Sequence, residues 1–191
     1  MAVLHRAEIR PTKLELLEEW LPSQPWAATA GEGPLESVGA FRFDDPDGEV
    51  GIETLLVRRG DGPVLQVPLT YRGAPLAGAE AALIGTMEHS VLGSRWVYDG
   101  VGDPVYVTAV LHAMLTGARQ ADEVVETAEG PVPRESTASA FGSGRADDAV
   151  APVGQPDVRR VLTDEEPTEG AAATLRGRWR GQDTDVVLVT V

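Results

Sequence analysis

Residues 35–72, LESVGAFRFDDPDGEVGIETLLVRRGDGPVLQVPLTYR, decide the fold. Leu35 to Phe43, Glu49 to Arg58 and Val64 to Arg72 show a period of two, which belongs to strands rather than helices. Asp44-Asp45-Pro46-Asp47-Gly48 and Gly60-Asp61-Gly62-Pro63 separate these runs and are turn sequences. Connections this short make consecutive strands antiparallel neighbours. Pro68 has no N–H to give to a ladder, so the third strand is expected at an edge or bulged there.

Upstream, Thr12-Lys13-Leu14-Glu15 has the form of a capping box, and Leu14, Leu17, Trp20 and Leu21 recur at helical spacing until Pro22 forbids continuation. The spacing predicts an amphipathic helix over 13–21, laid across one face of the sheet, with Trp26 in the next loop folding back onto the core. Downstream, residues 73–84 form a small-residue connector, and Leu83 to Leu92 and Arg95 to Asp99 read as further strands or tight turns. Asp103-Pro104 is an N-cap followed by the residue preferred at the first helical position, and Gly117 is placed to end the helix predicted over 104–116. Residues 121–135 and 142–157 are rich in Pro, Gly, Asp and Glu, with short strand-like pieces at 136–141 and 158–162 and an acidic loop from Thr163 to Gly170. Ala172 to Arg180 and Asp185 to Val191 form a closing hairpin. The elements add up to an α+β fold.

Composition narrows the function classes. The chain has 191 residues, 30 Asp and Glu against 16 Lys and Arg, a formal net charge of −14 and no cysteine. A globule of this mass buries roughly 70% of its unfolded surface, enough for a core without staples. The lack of cysteine removes thiol nucleophiles, Fe–S clusters and Cys-type zinc sites, and fits a reducing cytoplasm. A strongly acidic chain repels nucleic acid and anionic membrane surfaces, and no apolar run is long enough to span a bilayer. The basic groups are fifteen arginines and one lysine, Lys13, a bias that fits a GC-rich genome.

The motifs offer little catalytic chemistry. His5, His89 and His112 have no metal-ligand spacing, and no metal site or cofactor is expected. His5 is expected in a frayed terminus and His112 at the surface. Lys13 does not stand in a phosphate-binding Gly-Lys-Ser/Thr loop. Phe141-Gly142-Ser143-Gly144 supplies a glycine loop but not a complete dinucleotide fingerprint. The densest grouping, residues 85–106, brings Glu88, His89, Ser90, Arg95, Tyr98, Asp99 and Asp103 together in sequence. A hydrolase built on Ser90, His89 and Asp99 or Asp103 is one reading. The other is structural: Asp103 as a helix cap, Asp99 in a turn, Trp96 and Tyr98 in or beside the core, and Arg95 paired with a nearby acid.

Three stretches in order resemble the maltokinase-type N-terminal cap domain: the helix, Trp-Leu-Pro and second tryptophan of Thr12 to Trp26; Glu53 to Val57 followed by Val64 to Arg72 with its Pro-Leu-x-Tyr-Arg ending; and Leu83-Ile84-Gly85 with Val97-Tyr98-Asp99-Gly100 and Asp103-Pro104. The resemblance covers residues 12–118. Arg134 to Gly142 more faintly resembles the start of a kinase nucleotide lobe, without the lysine that should follow, and the family's His-Gly-Asp catalytic loop and metal-binding segment are missing. The resemblance implies a cystatin-like curved antiparallel sheet on an N-terminal helix, then a second helix and a β-rich extension, divided as 1–118 and 119–191. It implies a separate, non-catalytic cap-like protein of actinobacterial type, linked to maltose, trehalose and α-glucan metabolism. Such a protein is expected to bind a protein partner, such as a kinase or an enzyme of that metabolism, or to form a homo-oligomer. An alternative is a sugar or sugar-phosphate binding module using Trp26, Arg72, Arg95 and Trp96. The candidate interaction surface comprises Trp26, Arg72, His89, Arg95, Trp96 and Asp99.

Overall fold

The computed structural model describes residues 1–5, 7–127, 129–145, 154–163 and 170–191. Most of the acidic loop expected from Thr163 to Gly170, and the centre of the 142–157 stretch, lie outside those residues. In chain order the elements are β1 (Ala2–His5), β2 (Ile9–Arg10), α1 (Lys13–Trp20), β3 (Leu35–Phe43), β4 (Gly51–Arg59), β5 (Val64–Arg72), β6 (Leu83–His89), β7 (Gly93–Asp99) and α2 (Pro104–Thr116). They continue with β8 (Glu123–Thr127), β9 (Gly130–Arg134), β10 (Ala138–Gly142), β11 (Asp157–Val158), β12 (Val161–Leu162), β13 (Thr174–Trp179) and β14 (Val186–Thr190).

Local chemistry sets the ends of these elements. The Thr12 hydroxyl accepts the Glu15 N–H at 3.2 Å while the Glu15 carboxylate accepts the Thr12 N–H at 2.7 Å, closing the capping box that starts α1. One carboxylate, that of Asp45, accepts the N–H groups of Asp47, Glu49 and Val50 and shapes the β3–β4 turn. Asp103 caps α2, and Gly117 ends it at φ +70°, a left-handed conformation open to glycine without steric cost.

The main sheet runs β2-β6-β7-β5-β4-β3, antiparallel throughout, with β12 added alongside β5. It curls into a half-barrel. Pro68 lies neither at an edge nor in a bulge: β5 pairs with β4 along its length and with β7 and β12 on its other flank. The expectation failed because that second flank is shared. β12 pairs with Val64 and Leu65, β7 begins at Leu69, and Pro68 falls in the gap between them. N–H groups two residues apart point the same way, so the missing donor of Pro68 faces the gap, the side on which the Gln66 N–H reaches the Arg160 carbonyl at 2.9 Å.

Alternation of side chains divides the sheet into two faces. On one, Leu16, Leu17 and Leu21 at α1 pack with Leu55, Val57, Leu65, Val67, Leu69, Met87 and Val97. On the other, Phe41, Phe43, Ile52 and Leu56 meet Tyr106, Val110 and Met114 of α2 together with Ala140, Leu175 and Leu188 from the later strands. Residues on both sides of position 118 therefore share one core cluster. A fully buried leucine such as Leu17 or Leu188 contributes roughly 2 kcal/mol over its exposed state.

The later residues form two small sheets, β1-β8-β9 and β10-β13-β14-β11. The β8–β9 hairpin was hidden in a Pro- and acid-rich stretch, because Pro131 and Pro133 suit an outer strand with no further neighbour. The amino terminus is not frayed: Ala2 to His5 pair in parallel with Glu123 to Glu126. No helix among the described residues is long and apolar enough to cross a membrane.

Candidate functional site

Among the described residues four carboxylates are buried, Glu53, Asp99, Asp103 and Glu123, and the sharpest polar chemistry lies at the first three. Asp103 is fully buried. One of its oxygens accepts the Val105 N–H at 3.0 Å and Arg72 Nη2 at 2.7 Å, and the other accepts the Thr70 hydroxyl and Arg72 Nε, both at 2.7 Å. Burial would raise its pKa, but the hydrogen bonds from Arg72, Thr70 and Val105, with the Arg72 charge, hold it below the usual value. The same residue thus caps α2 and clamps that helix to β5.

Glu53 lies on the opposite face of β4, 4% exposed. Its carboxylate accepts Lys13 Nζ at 2.5 Å, Arg42 Nη2 at 2.8 Å and the Tyr71 hydroxyl at 2.7 Å. Lys13 Nζ also sits 5.5 Å from the centre of the Tyr71 ring. Burial pushes the Glu53 pKa up, yet the charges of Lys13 and Arg42 and the donated hydrogen bonds outweigh it and bring it to about 2. Burial and the Glu53 charge push the Tyr71 hydroxyl well above its ordinary value. The only lysine of the chain is therefore spent on joining α1 to the sheet.

Asp99 is 7% exposed and accepts Arg160 Nη2 at 2.5 Å. The Arg160 guanidinium lies 4.9 Å from the centre of the Trp26 ring, which packs edge-on against Trp20 at 5.8 Å. Trp26 does return to the core, and with Arg160 and Asp99 it spans the gap beside Pro68.

The remaining site candidates do not converge. Arg72 and Trp96 are paired across the β5–β7 ladder and share the α2 face, whereas Arg95 pairs with core residue Met87 on the α1 face, where Trp26 also packs. A single sugar site from Trp26, Arg72, Arg95 and Trp96 would have to pass through the sheet. Arg95 donates to the Ser94 carbonyl at 3.2 Å rather than to an acid. His89 Nδ1 accepts the N–H groups of Val91 and Leu92 at 3.3 and 3.1 Å, and the Ser90 hydroxyl accepts the Glu8 N–H at 3.0 Å, so both shape the β6–β7 hairpin tip. His89 stands opposite Gly93, and Asp99 is six residues further along β7, about 20 Å away at the rise of an extended strand. Asp103 is committed to Arg72 beyond that end. The hydrolase grouping is thus close in sequence only.

The glycine loop at 141–144 has a packing role. A Cβ on Gly142 would fall 1.8 Å from the Ala113 carbonyl oxygen, and one on Gly144 2.0 Å from that of Leu115. The loop presses on the last turn of α2, where the Gly144 N–H donates to the Met114 carbonyl at 2.8 Å, so it closes the negative end of the helix dipole, which does not favour a phosphate. His112, as expected, is exposed.

The class is therefore an α+β protein whose half-barrel sheet holds its acids in internal clamps. Residues 20–103 match the sequence model of the maltokinase N-terminal cap domain, so β3 to β7, with the approach to α2, form a cap-like unit of that kind. The match takes in 84 of 191 residues and contains Glu53, Tyr71, Arg72, Asp99 and Asp103. It ends before α2 and before the 134–142 stretch. No curated protein matches the chain.

Proposed function

We propose that this chain is a non-catalytic cap-type module that acts by binding a protein partner, in a regulatory role within maltose, trehalose and α-glucan metabolism, in the cytoplasm. The link to that metabolism rests on the cap resemblance alone. The cystatin-like description of the first lobe rests on the same resemblance and is supported by a curled sheet with α1 on one face. The chain divides at residue 118 into a cap-like lobe and a β-rich extension, the extension completing the core on the α2 face.

The observation that carries the binding role is the composition of α2, PVYVTAVLHAMLT. It is apolar around most of its circumference, and a helix of that kind belongs inside a larger assembly. Tyr106, Val110, Ala113 and Met114 fill the core, leaving Val107 and Leu111 half-buried on other sides of the helix. The turn just before α2 exposes Val101 at 41%, and Leu83, which follows the turn packed against it, is exposed at 38%. The non-catalytic reading is supported by the commitment of Glu53 and Asp103, and of one Asp99 oxygen, to partners within the fold.

The test uses the purified chain and a Leu111→Asp variant. We expect no ADP from ATP and maltose above the blank, and a partner from the native cytosol retained by the wild type but lost by the variant at unchanged melting temperature. Turnover of ATP by the pure chain, or equal retention by the variant, would contradict the proposal.

A further inference from the structure

Acidic groups outnumber basic ones 30 to 16 in this chain, so an arginine has no shortage of carboxylates. Arg42, Arg59, Arg72, Arg160 and Arg178 each end on one. Arg58 and Arg180 do not, and among the described residues neither do Arg10, Arg95, Arg119 and Arg145; burial sets Arg58 apart from these. The Nε of Arg58 is buried without a hydrogen-bond partner, and among the described residues no carboxylate pairs with either side chain. Even Glu36, directly across the β3–β4 ladder from Arg58, makes no ion pair with it. A buried donor left without an acceptor is costly, and native structures leave few.

Both arginines line the same hollow of about 830 Å³, which opens where the β3–β4 ladder bulges between Ser37 and Gly39. The bulge explains the convergence. A Cβ on Gly39 would lie 3.0 Å from that of Trp179 and 3.1 Å from that of Ala138, so glycine eases the close approach of β13 that brings Arg180 to the rim. The acids of the lining are largely spent: Glu53 on Lys13, Arg42 and Tyr71, and Glu123 on the Ser136 hydroxyl with Arg134 at 4.0 Å. Glu135 is left against two uncommitted guanidinium groups.

We propose that this hollow is an oxyanion site in which Arg58 and Arg180 take the phosphate or carboxylate of a small polar molecule, with the Ser37 hydroxyl beside them. Planar guanidinium groups suit both oxyanions through paired N–H donors. The hollow is far larger than a bare ion, so the ligand is an organic molecule carrying the oxyanion. This site is separate from the α2 surface proposed for a protein partner.

The experiment follows the Arg58 Nε–Hε resonance of the full ¹⁵N-labelled chain during titration with ribose 5-phosphate, with citrate and with neutral ribose. A saturable shift with ribose 5-phosphate alone identifies a phosphate ligand, with citrate alone a carboxylate ligand, and ribose is expected to do nothing. Arg180→Gln, at an exposed turn, should weaken binding about ten-fold or more, the scale of one lost charge-assisted bond. Arg58→Gln, read by calorimetry, should do the same, while Arg119→Gln, remote from the hollow, should bind as the wild type does. The proposal is overturned if neither anion gives a saturable shift at about 10 mM, or if Arg180→Gln binds as tightly as the wild type.

Discussion

The two faces of the sheet each carry a buried carboxylate with three side-chain or helix partners, yet they are assembled differently. On the α2 face, Asp103 joins the helix it caps to Thr70 and Arg72, which are neighbours on one strand. On the α1 face, Glu53 gathers Lys13, Arg42 and Tyr71 from a helix and two strands. The first clamp contains a local signal, the Asp-Pro start of a helix. The second has none, because its members are brought together only by the completed sheet. Burial of a charge is tolerable in both cases for the same reason: the carboxylate meets opposite charge and enough donors to replace water.

The largest effect is expected at Asp103. Asp103→Ala removes four hydrogen bonds, uncaps α2 and leaves Arg72 without its partner, so denaturant unfolding should show a loss of about 3–5 kcal/mol. Glu53→Gln leaves Lys13 and Arg42 facing a neutral amide and should cost about 3 kcal/mol by the same measurement. The Glu53 carboxyl is held at about 2 in the folded chain against 4.5 for the ordinary group. Its contribution is therefore present in full above pH 4.5 and is lost as the pH falls towards 2. A pH series of melting curves should show wild-type stability falling more steeply than that of Glu53→Gln in this window, and parallel curves would remove Glu53 from the account. The smallest expected effect is at the start of α1, where Thr12→Ala opens the capping box and should cost about 1 kcal/mol.

What was legible in the sequence was what neighbours in the chain decide. The three central strands, the Thr12 and Asp103 caps, the Gly117 stop and the closing hairpin all follow from spacing and turn chemistry over a few residues. Pro68 misled because its strand is flanked by two partial neighbours, an arrangement that depends on residues 161–162 nearly a hundred positions away. The glycines at 142 and 144 resembled part of a phosphate loop but serve the close approach of a helix end. His89, Ser90 and Asp99 are grouped in sequence, but His89 and Ser90 stay at the hairpin tip while Asp99 lies at its far end. The Glu53 cluster was not legible, since Lys13, Arg42, Glu53 and Tyr71 share no motif and meet only through strand register. The Arg58 and Arg180 hollow was not legible, since only the completed fold buries the Arg58 Nε and brings Arg180 to the same hollow.

In the cap-like region, buried acids and their bases act as clamps of the fold. A double-mutant cycle on Arg72→Gln and Asp103→Asn, followed by denaturant unfolding, tests this most directly. A coupling of about 2 kcal/mol or more is expected, because either substitution alone already destroys the shared interaction. Single effects that add to within about 0.5 kcal/mol would contradict the claim and release both residues for another role.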